Sequence, residues 1–262
     1  MSVSIDRTAR VSPNADLGDG VSIGPFSIVE DNVVIGEGTQ VASNVLIASG
    51  ARIGKGCRVH HSAVVSSIPQ DLKFAGEDTT LEVGDGTVVR EFATLNRGTK
   101  DQWKTTIGSN CLLMAYTHVA HDCFIGNSVI LANAVNMGGH VTIDDYAIVG
   151  GMVPIHQFVQ IGCHAMIGGG FRVVKDVPPY VLAGQNPLSF EGLNIVGLKR
   201  RGFSPEAISS IESAYHYIYN SKLNVSQAID KIQKEMVLTD EVRRIIEFTK
   251  GSKRGIVGLK PK

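Results

Sequence analysis

Val141–Gly170 reads VTIDDYAIVGGMVPIHQFVQIGCHAMIGGG, with Ile143, Val149, Ile155, Ile161 and Ile167 spaced six residues apart. Four residues after each of the first four of these anchors comes a small or short side chain: Ala147, Val153, Val159 and Ala165. Neither an amphipathic helix, with its period of 3.6, nor a simple alternating strand keeps a period of six, so the repeat itself defines the fold. The same frame extends back to Ile5 and forward to Val173. Of 29 slots, 26 are aliphatic or Met, and the exceptions are all acidic: Asp71, Glu77 and Asp101. Glycine often follows the anchor (Gly18, Gly36, Gly54, Gly108, Gly126), where the backbone must bend.

These features predict an all-β, left-handed parallel β-helix shaped as a triangular prism. Each hexad supplies a short strand and a corner, and three hexads make a coil of eighteen residues. The 29 slots correspond to between nine and ten coils, ending where Pro178-Pro179 removes two backbone donors. The acidic slots mark loops extruded near residues 66–80 and 100–105, and loops on a rigid scaffold are favoured places for function. The prism is expected to span residues 1–191. Residues 192–262 form a small helical domain, with Ser204 and Pro205 opening one helix, followed by NVSQAIDKIQKEM and TDEVRRIIEFTK.

Composition narrows the function classes. Lysine plus arginine and aspartate plus glutamate number 25 each, so net charge suggests neither nucleic acid nor a membrane surface as partner. The start lacks the apolar core of a signal peptide, and no apolar run is long enough to cross a bilayer, which points to the cytoplasm and no membrane insertion. Cys57, Cys111 and Cys123 fall in the small inward column and are expected to be core.

Four of the eight histidines fall outside the inward slots, on one strip of the prism. His121 and His140 are in successive coils, His156 is one coil further, and His118 is expected at the corner leading into that face, to which slot 101 is also assigned. Clustered titratable groups mark a candidate site, whereas His60, His61, His164 and His216 are read as structural. Two chemistries remain open. Three or four histidines suit zinc in number, although no close, repeated ligand spacing is present. Alternatively, the adjacent pair His121-Asp122 suits a general base oriented by a carboxylate, with Gly138-Gly139 supplying a bare N–H for an oxyanion. No serine or cysteine is placed as a nucleophile, which favours direct attack by a bound acceptor. An exposed strip needs a second wall, and a rotationally related copy of the chain would supply one.

The hexad frame, together with QDLKFAGE (70–77), HVAHDC (118–123), GGMVPIHQF (150–158), VPPYV (177–181) and NIVGLKRRGFS (194–204), resembles the UDP-N-acetylglucosamine O-acyltransferases that open lipid A synthesis. The resemblance runs through nearly the whole chain. It implies a homotrimer, with active sites between subunits, that moves a (3R)-3-hydroxyacyl group from acyl carrier protein to the sugar 3-hydroxyl of UDP-N-acetylglucosamine. No cofactor or metal is implied, because the acyl group arrives on the phosphopantetheine of the carrier. His121 matches the general base, Asp122 its orienting partner and Gly139 the oxyanion donor. Gln70, Asp71 and Lys73 match residues that hold the sugar nucleotide. His118, His140, His156 and Gln157 match the lining of the same cleft. Asn194 and Arg201 match nucleotide contacts, and Arg200 matches a donor-side contact. Met166 and Gly169 match the positions that read acyl length, and a glycine there leaves room for a chain on the order of fourteen carbons or more. The sequence departs from the family at Asn96 and Pro187, where histidine is common, and at Val196, where glutamate is common. Two other functions are compatible with the fold: transfer to a 3-amino sugar nucleotide, and zinc-dependent hydration of the carbonic anhydrase type.

Overall fold

The computed structural model describes residues 2–259. Strands of two to five residues stack into three sheets that form the faces of a prism. The first face runs from Ser4–Ile5 to Ser189–Leu193 and has eleven strands; the second and third faces have eight each. Pairing within the prism is parallel and in register by anchor: Val119 lies beside Met137 and Met137 beside Ile155 on the second face. The architecture is the left-handed parallel β-helix.

The repeat maps directly onto this geometry. The anchor and the residue four positions later point inward and form one continuous core, in which Ile143, Ala147, Val149, Val153, Val159 and Ile161 have no exposed surface. Three positions after the anchor, the corner residue adopts a positive φ, as at Asp122 (59°), His140 (61°), Phe158 (65°) and His164 (57°). Left-handed backbone costs an L-residue on the order of 1 kcal/mol. Here it is offset by the coil-to-coil ladder (for example Ile148 N–H to Ala165 O, 2.9 Å) and by rings stacked along the corners, such as Phe92 on Tyr116 at 5.1 Å. All four cysteines are buried and unpaired with one another, including Cys163, which lies outside the small column.

The structure corrects several expectations. Slots 71, 77 and 101 belong to no face. The second face ends a strand at Val64–Ser67 and the third resumes at Thr80–Val83; the next departure lies between Thr94–Asn96 and Lys104–Ile107. The excursions insert twelve and six residues, multiples of the repeat, so the frame survives while the count of coils is inflated. Strands at the anchors end with Met166–Ile167, and bridges at Val173 and Val177 close the ninth coil. Pro178-Pro179 does not end the prism either. Val181–Gly184 pairs in parallel with Met166–Ile167, and Ser189–Leu193 then turns back antiparallel, across the expected border at 191/192.

The helices after this hairpin are Ile195–Arg200, Pro205–Tyr215, Val225–Glu235 and Asp240–Gly251, with a π-helical turn at His216–Asn220. Ser204, Asn224 and Thr239 cap the last three, each accepting a backbone N–H with its side chain. The helix Ile195–Arg200 was not anticipated. Lys199 and Arg200 close it, where cations complement the helix dipole. The fully buried Tyr215 anchors this part to the prism by donating its hydroxyl to Pro179 O at 2.6 Å.

Candidate active site

Asp122 takes the left-handed corner between the second and third faces, and that conformation turns its side chain back beside His121. His121 Nδ1 lies 2.8 Å from Asp122 Oδ2, so adjacent residues meet as the corner permits. The loop inserted at slot 101 covers this corner and leaves the Asp122 side chain with no exposed surface. Thr99 donates its N–H to Oδ1 at 2.8 Å and its hydroxyl to Oδ2 at 2.7 Å, while the Asp122 N–H donates to Thr105 Oγ1 at 2.8 Å. Burial alone would raise the Asp122 carboxyl pKa. The hydrogen bonds from Thr99 and His121 outweigh burial and hold it below the usual carboxylate range. A carboxylate on Nδ1 keeps the proton there and leaves Nε2 as the bare acceptor.

One coil on, Gly139 packs against the imidazole. A Cβ at Gly139 would stand 2.6 Å from His121 Cε1 and 2.8 Å from Nε2, so only glycine permits this approach. Two residues after the anchor, at Lys55, Ser109 and Asn127, a side chain from the next coil accepts the backbone N–H. Among the described residues no such acceptor meets the N–H of Gly139, the residue packed against His121.

His140 completes the cluster. Its ring is edge-on to His121 at 5.3 Å and stacked on Phe158 at 4.6 Å. Its Nε2 lies 3.7 Å from Asp122 Oδ2 and its Nδ1 3.3 Å from Asp101 Oδ2. Asp101 reaches the site from the loop, not from the face to which its slot was assigned. A cleft of about 620 Å³ opens here, lined by Asp71, Lys73 and Glu77 on one loop, Thr99, Lys100 and Asp101 on the other, and His140 and Phe158 on the prism.

The remaining expected residues are placed differently. His118 lies within the strand His118–Val119 instead of at a corner; its Nδ1 is 2.7 Å from Thr94 Oγ1 and burial lowers its pKa. His156 Nδ1 turns to Gln157 O at 3.0 Å, and Gln157 is exposed, as are Gln70 and Arg200. Asn194 is buried as the cap of Ile195–Arg200: its Oδ1 accepts the Gly197 N–H and its Nδ2 donates to His164 O. The Arg201 guanidinium lies over the Tyr146 ring at 5.3 Å. Within one chain, Asn194 and Arg201 therefore occupy the corner between the third and first faces, away from His121. Met166 is half-buried in its strand and Gly169 is exposed at the next bend.

Other residues complete the site. Thr99, four residues after the anchor Leu95, falls in the small inward column of the repeat but grips Asp122; Glu77 and Asp101, acidic slots of the frame, reach the cleft on the loops with Lys100, and Phe158 reaches it from the corner stack. His121, Asp122 and His140 also each place one metal-binding atom within 4.8 Å of the others, the number a catalytic zinc takes from protein. However, Oδ2 of that carboxylate already accepts the Thr99 hydroxyl and faces His121 Nδ1, the arrangement of an oriented base.

Comparison with known proteins places these features in a family. Residues 176–257 match the model described as UDP-N-acetylglucosamine O-acyltransferase, domain 2, and residues 14–48 and 32–67 match the bacterial transferase hexapeptide repeat. The chain is 48% identical to the acyl-[acyl-carrier-protein]–UDP-N-acetylglucosamine O-acyltransferase of Thiobacillus denitrificans, over 97% of this chain and 99% of that one. The UDP-N-acetylglucosamine acyltransferase of Bacteroides fragilis superposes with a TM-score of 0.94 at 44% identity, covering 96% of this chain and 99% of its own. LpxA from Acinetobacter baumannii gives 0.93 at 43%, covering 97% and 99%. The chain belongs to the acyl-[acyl-carrier-protein]–UDP-N-acetylglucosamine O-acyltransferase family.

Proposed function

We propose that this protein transfers a (3R)-3-hydroxyacyl group from acyl carrier protein to the 3-hydroxyl of UDP-N-acetylglucosamine, the first step of lipid A biosynthesis, in one direct attack. The observation that carries the mechanism is the 2.8 Å contact of His121 Nδ1 with the buried Asp122 carboxylate, beside the unpaired Gly139 N–H. His121 Nε2 removes the proton of the 3-hydroxyl as its oxygen attacks the thioester carbonyl. The resulting oxyanion is held by the Gly139 N–H, and Asp122 stabilises the imidazolium. Collapse breaks the C–S bond, and the imidazolium returns its proton to the departing phosphopantetheine thiolate. No redox cofactor is needed, and no metal takes part in this route.

Lys73 and Lys100 offer positive charge to a diphosphate across the cleft from His140, and Asp71 offers acceptors to sugar hydroxyls. Gln70, His118, His156 and Gln157 are assigned to acceptor and donor contacts around this cleft. Asn194 and Arg201 lie at another corner of the same chain, so a site using both groups of residues needs two copies. That requirement favours the homotrimer with sites between subunits. Arg200 is exposed and free to meet an acidic carrier protein, and Met166 and Gly169 are assigned to the far end of the acyl groove. Among the described residues no helix is long and apolar enough to cross a membrane, consistent with a cytoplasmic enzyme working on a soluble carrier.

A mass-spectrometric transfer assay tests this reading. The protein is given 3-hydroxyacyl carrier proteins of graded length with UDP-N-acetylglucosamine. One ester product of a preferred length is expected. No ester, with an amide formed only from the 3-amino sugar nucleotide, would overturn the acceptor assignment; metal-dependent carbon dioxide hydration instead would overturn the reaction.

A further inference from the structure

Residues 96–99, Asn-Arg-Gly-Thr, leave the second face beneath both extruded loops and touch each of them. Asn96 Nδ2 donates to Ser67 Oγ at 2.8 Å and to Ile68 O at 3.2 Å, where the first loop departs. The Arg97 N–H donates to Ser67 O at 3.0 Å, and the Arg97 guanidinium lies 5.7 Å from the Phe74 ring in the middle of that loop. Gly98 O accepts the Thr79 hydroxyl at 2.6 Å and the Gly98 N–H donates to Thr80 O at 3.1 Å, where the loop returns. The next residue, Thr99, holds both oxygens of Asp122.

The Thr99 hydroxyl has little freedom. Its oxygen accepts the Asp101 N–H at 3.2 Å, which directs its own hydrogen toward Asp122 Oδ2. Thr99 O in turn accepts the Trp103 N–H at 2.7 Å, closing the turn of the second loop. A carboxylate held at both oxygens cannot rotate about its terminal torsion, so the imidazole bonded to it is held as well. With one anchor removed, the carboxylate could turn and carry the imidazole off line. A misplacement of about 1 Å costs on the order of a hundredfold in rate.

We infer that Thr99 is a positioning residue for the His121–Asp122 pair, and that residues 96–98 are the strap that keeps it in place. The inference rests on His121 being the base. Thr99 bonds Asp122 and not His121, so it acts through the carboxylate.

Transfer kinetics of the full-length protein test it with Thr99→Val, which keeps the backbone bond to Oδ1 and the side-chain shape but loses the hydroxyl, and with Thr99→Ser, which keeps the hydroxyl. Thr99→Val is expected to lower kcat by about tenfold to a hundredfold, with KM for both substrates within about twofold of wild type. Thr99→Ser is expected to restore kcat to within about threefold of wild type. A Thr99→Val kcat equal to wild type, or a Thr99→Ser enzyme as slow as Thr99→Val, would overturn the positioning role. Thr99→Ala carries the same expectation should the valine variant not fold. His121→Ala, assayed alongside, separates the two readings. If it is active, the base assignment fails; if it is inactive while Thr99→Val is normal, only the Thr99 inference fails.

Discussion

His140 and His164 occupy the same position of the repeat, one at each edge of the third face. Both have left-handed backbone, with φ of 61° and 57°, and both stack on an aromatic corner residue, Phe158 at 4.6 Å and Tyr146 at 4.9 Å. They differ in what covers them. Over His140 lies the six-residue insertion, which brings Asp101 beside it and seals Asp122 beneath Thr99. Over His164 lies the helical tail, which brings Phe203 and the Arg201 guanidinium. There burial first, and the charges of Arg201 and Arg244 next, push the imidazole from 6.5 to about 4, against the opposing pull of Asp145. A position in the repeat thus sets the direction of a side chain, and the segment laid over the corner sets its chemistry.

Substitutions at the two corners should separate these roles. The largest effect outside the base itself is expected at Asp122. Asp122→Asn keeps the shape but loses the charge that sets the tautomer, and kcat should fall on the order of a thousandfold; a loss below tenfold would show that the carboxylate is incidental. Gly139→Ala places a methyl 2.6 Å from His121 Cε1, and a kcat lower by about a hundredfold should follow, with the thermal midpoint little changed. Lys73→Met should act on binding, raising the acceptor KM about tenfold while kcat stays within about twofold. An unchanged KM would remove Lys73 from the acceptor side.

The smallest effect on the chemical step is expected at the His164 corner, which carries no base. His164→Phe should leave kcat within about twofold of wild type, any loss falling on acceptor KM through the neighbouring Arg201. Its signature is in stability. The folded pKa of His164 lies below the unfolded value, so between about pH 6.5 and 4 the unfolded chain binds a proton that the folded chain does not. Stability is therefore lost as pH falls through that window and is fully present above it. Unfolding midpoints measured across the window should fall less steeply in His164→Phe than in wild type, and equal slopes would contradict the burial account.

Much of this was legible in the sequence because each hexad carries its own instruction: an aliphatic anchor such as Ile143, a small partner such as Ala147, and a bend. The pairing of His121 with Asp122 is local and follows from the corner between them. What stayed hidden is non-local. Asp71, Glu77 and Asp101 held the frame only because the insertions are multiples of six, so they were counted as coils. Thr99 looked like one more small inward residue, and its bond to Asp122 depends on a loop whose path no periodicity describes. The strand Val181–Gly184 was missed because Pro178-Pro179 reads as a stop. Yet prolines ahead of a strand leave its own donors free to pair.

The most direct test sets the two corners against each other in one assay: the rate of 3-hydroxyacyl transfer from carrier protein to UDP-N-acetylglucosamine for His121→Ala and His164→Ala, with folding of both verified by circular dichroism. The His121 variant should lose a factor on the order of 10² to 10⁴ while the His164 variant turns over like wild type. Full activity in the His121 variant, or an equal loss in both, would contradict the assignment of the base to the loop-covered corner.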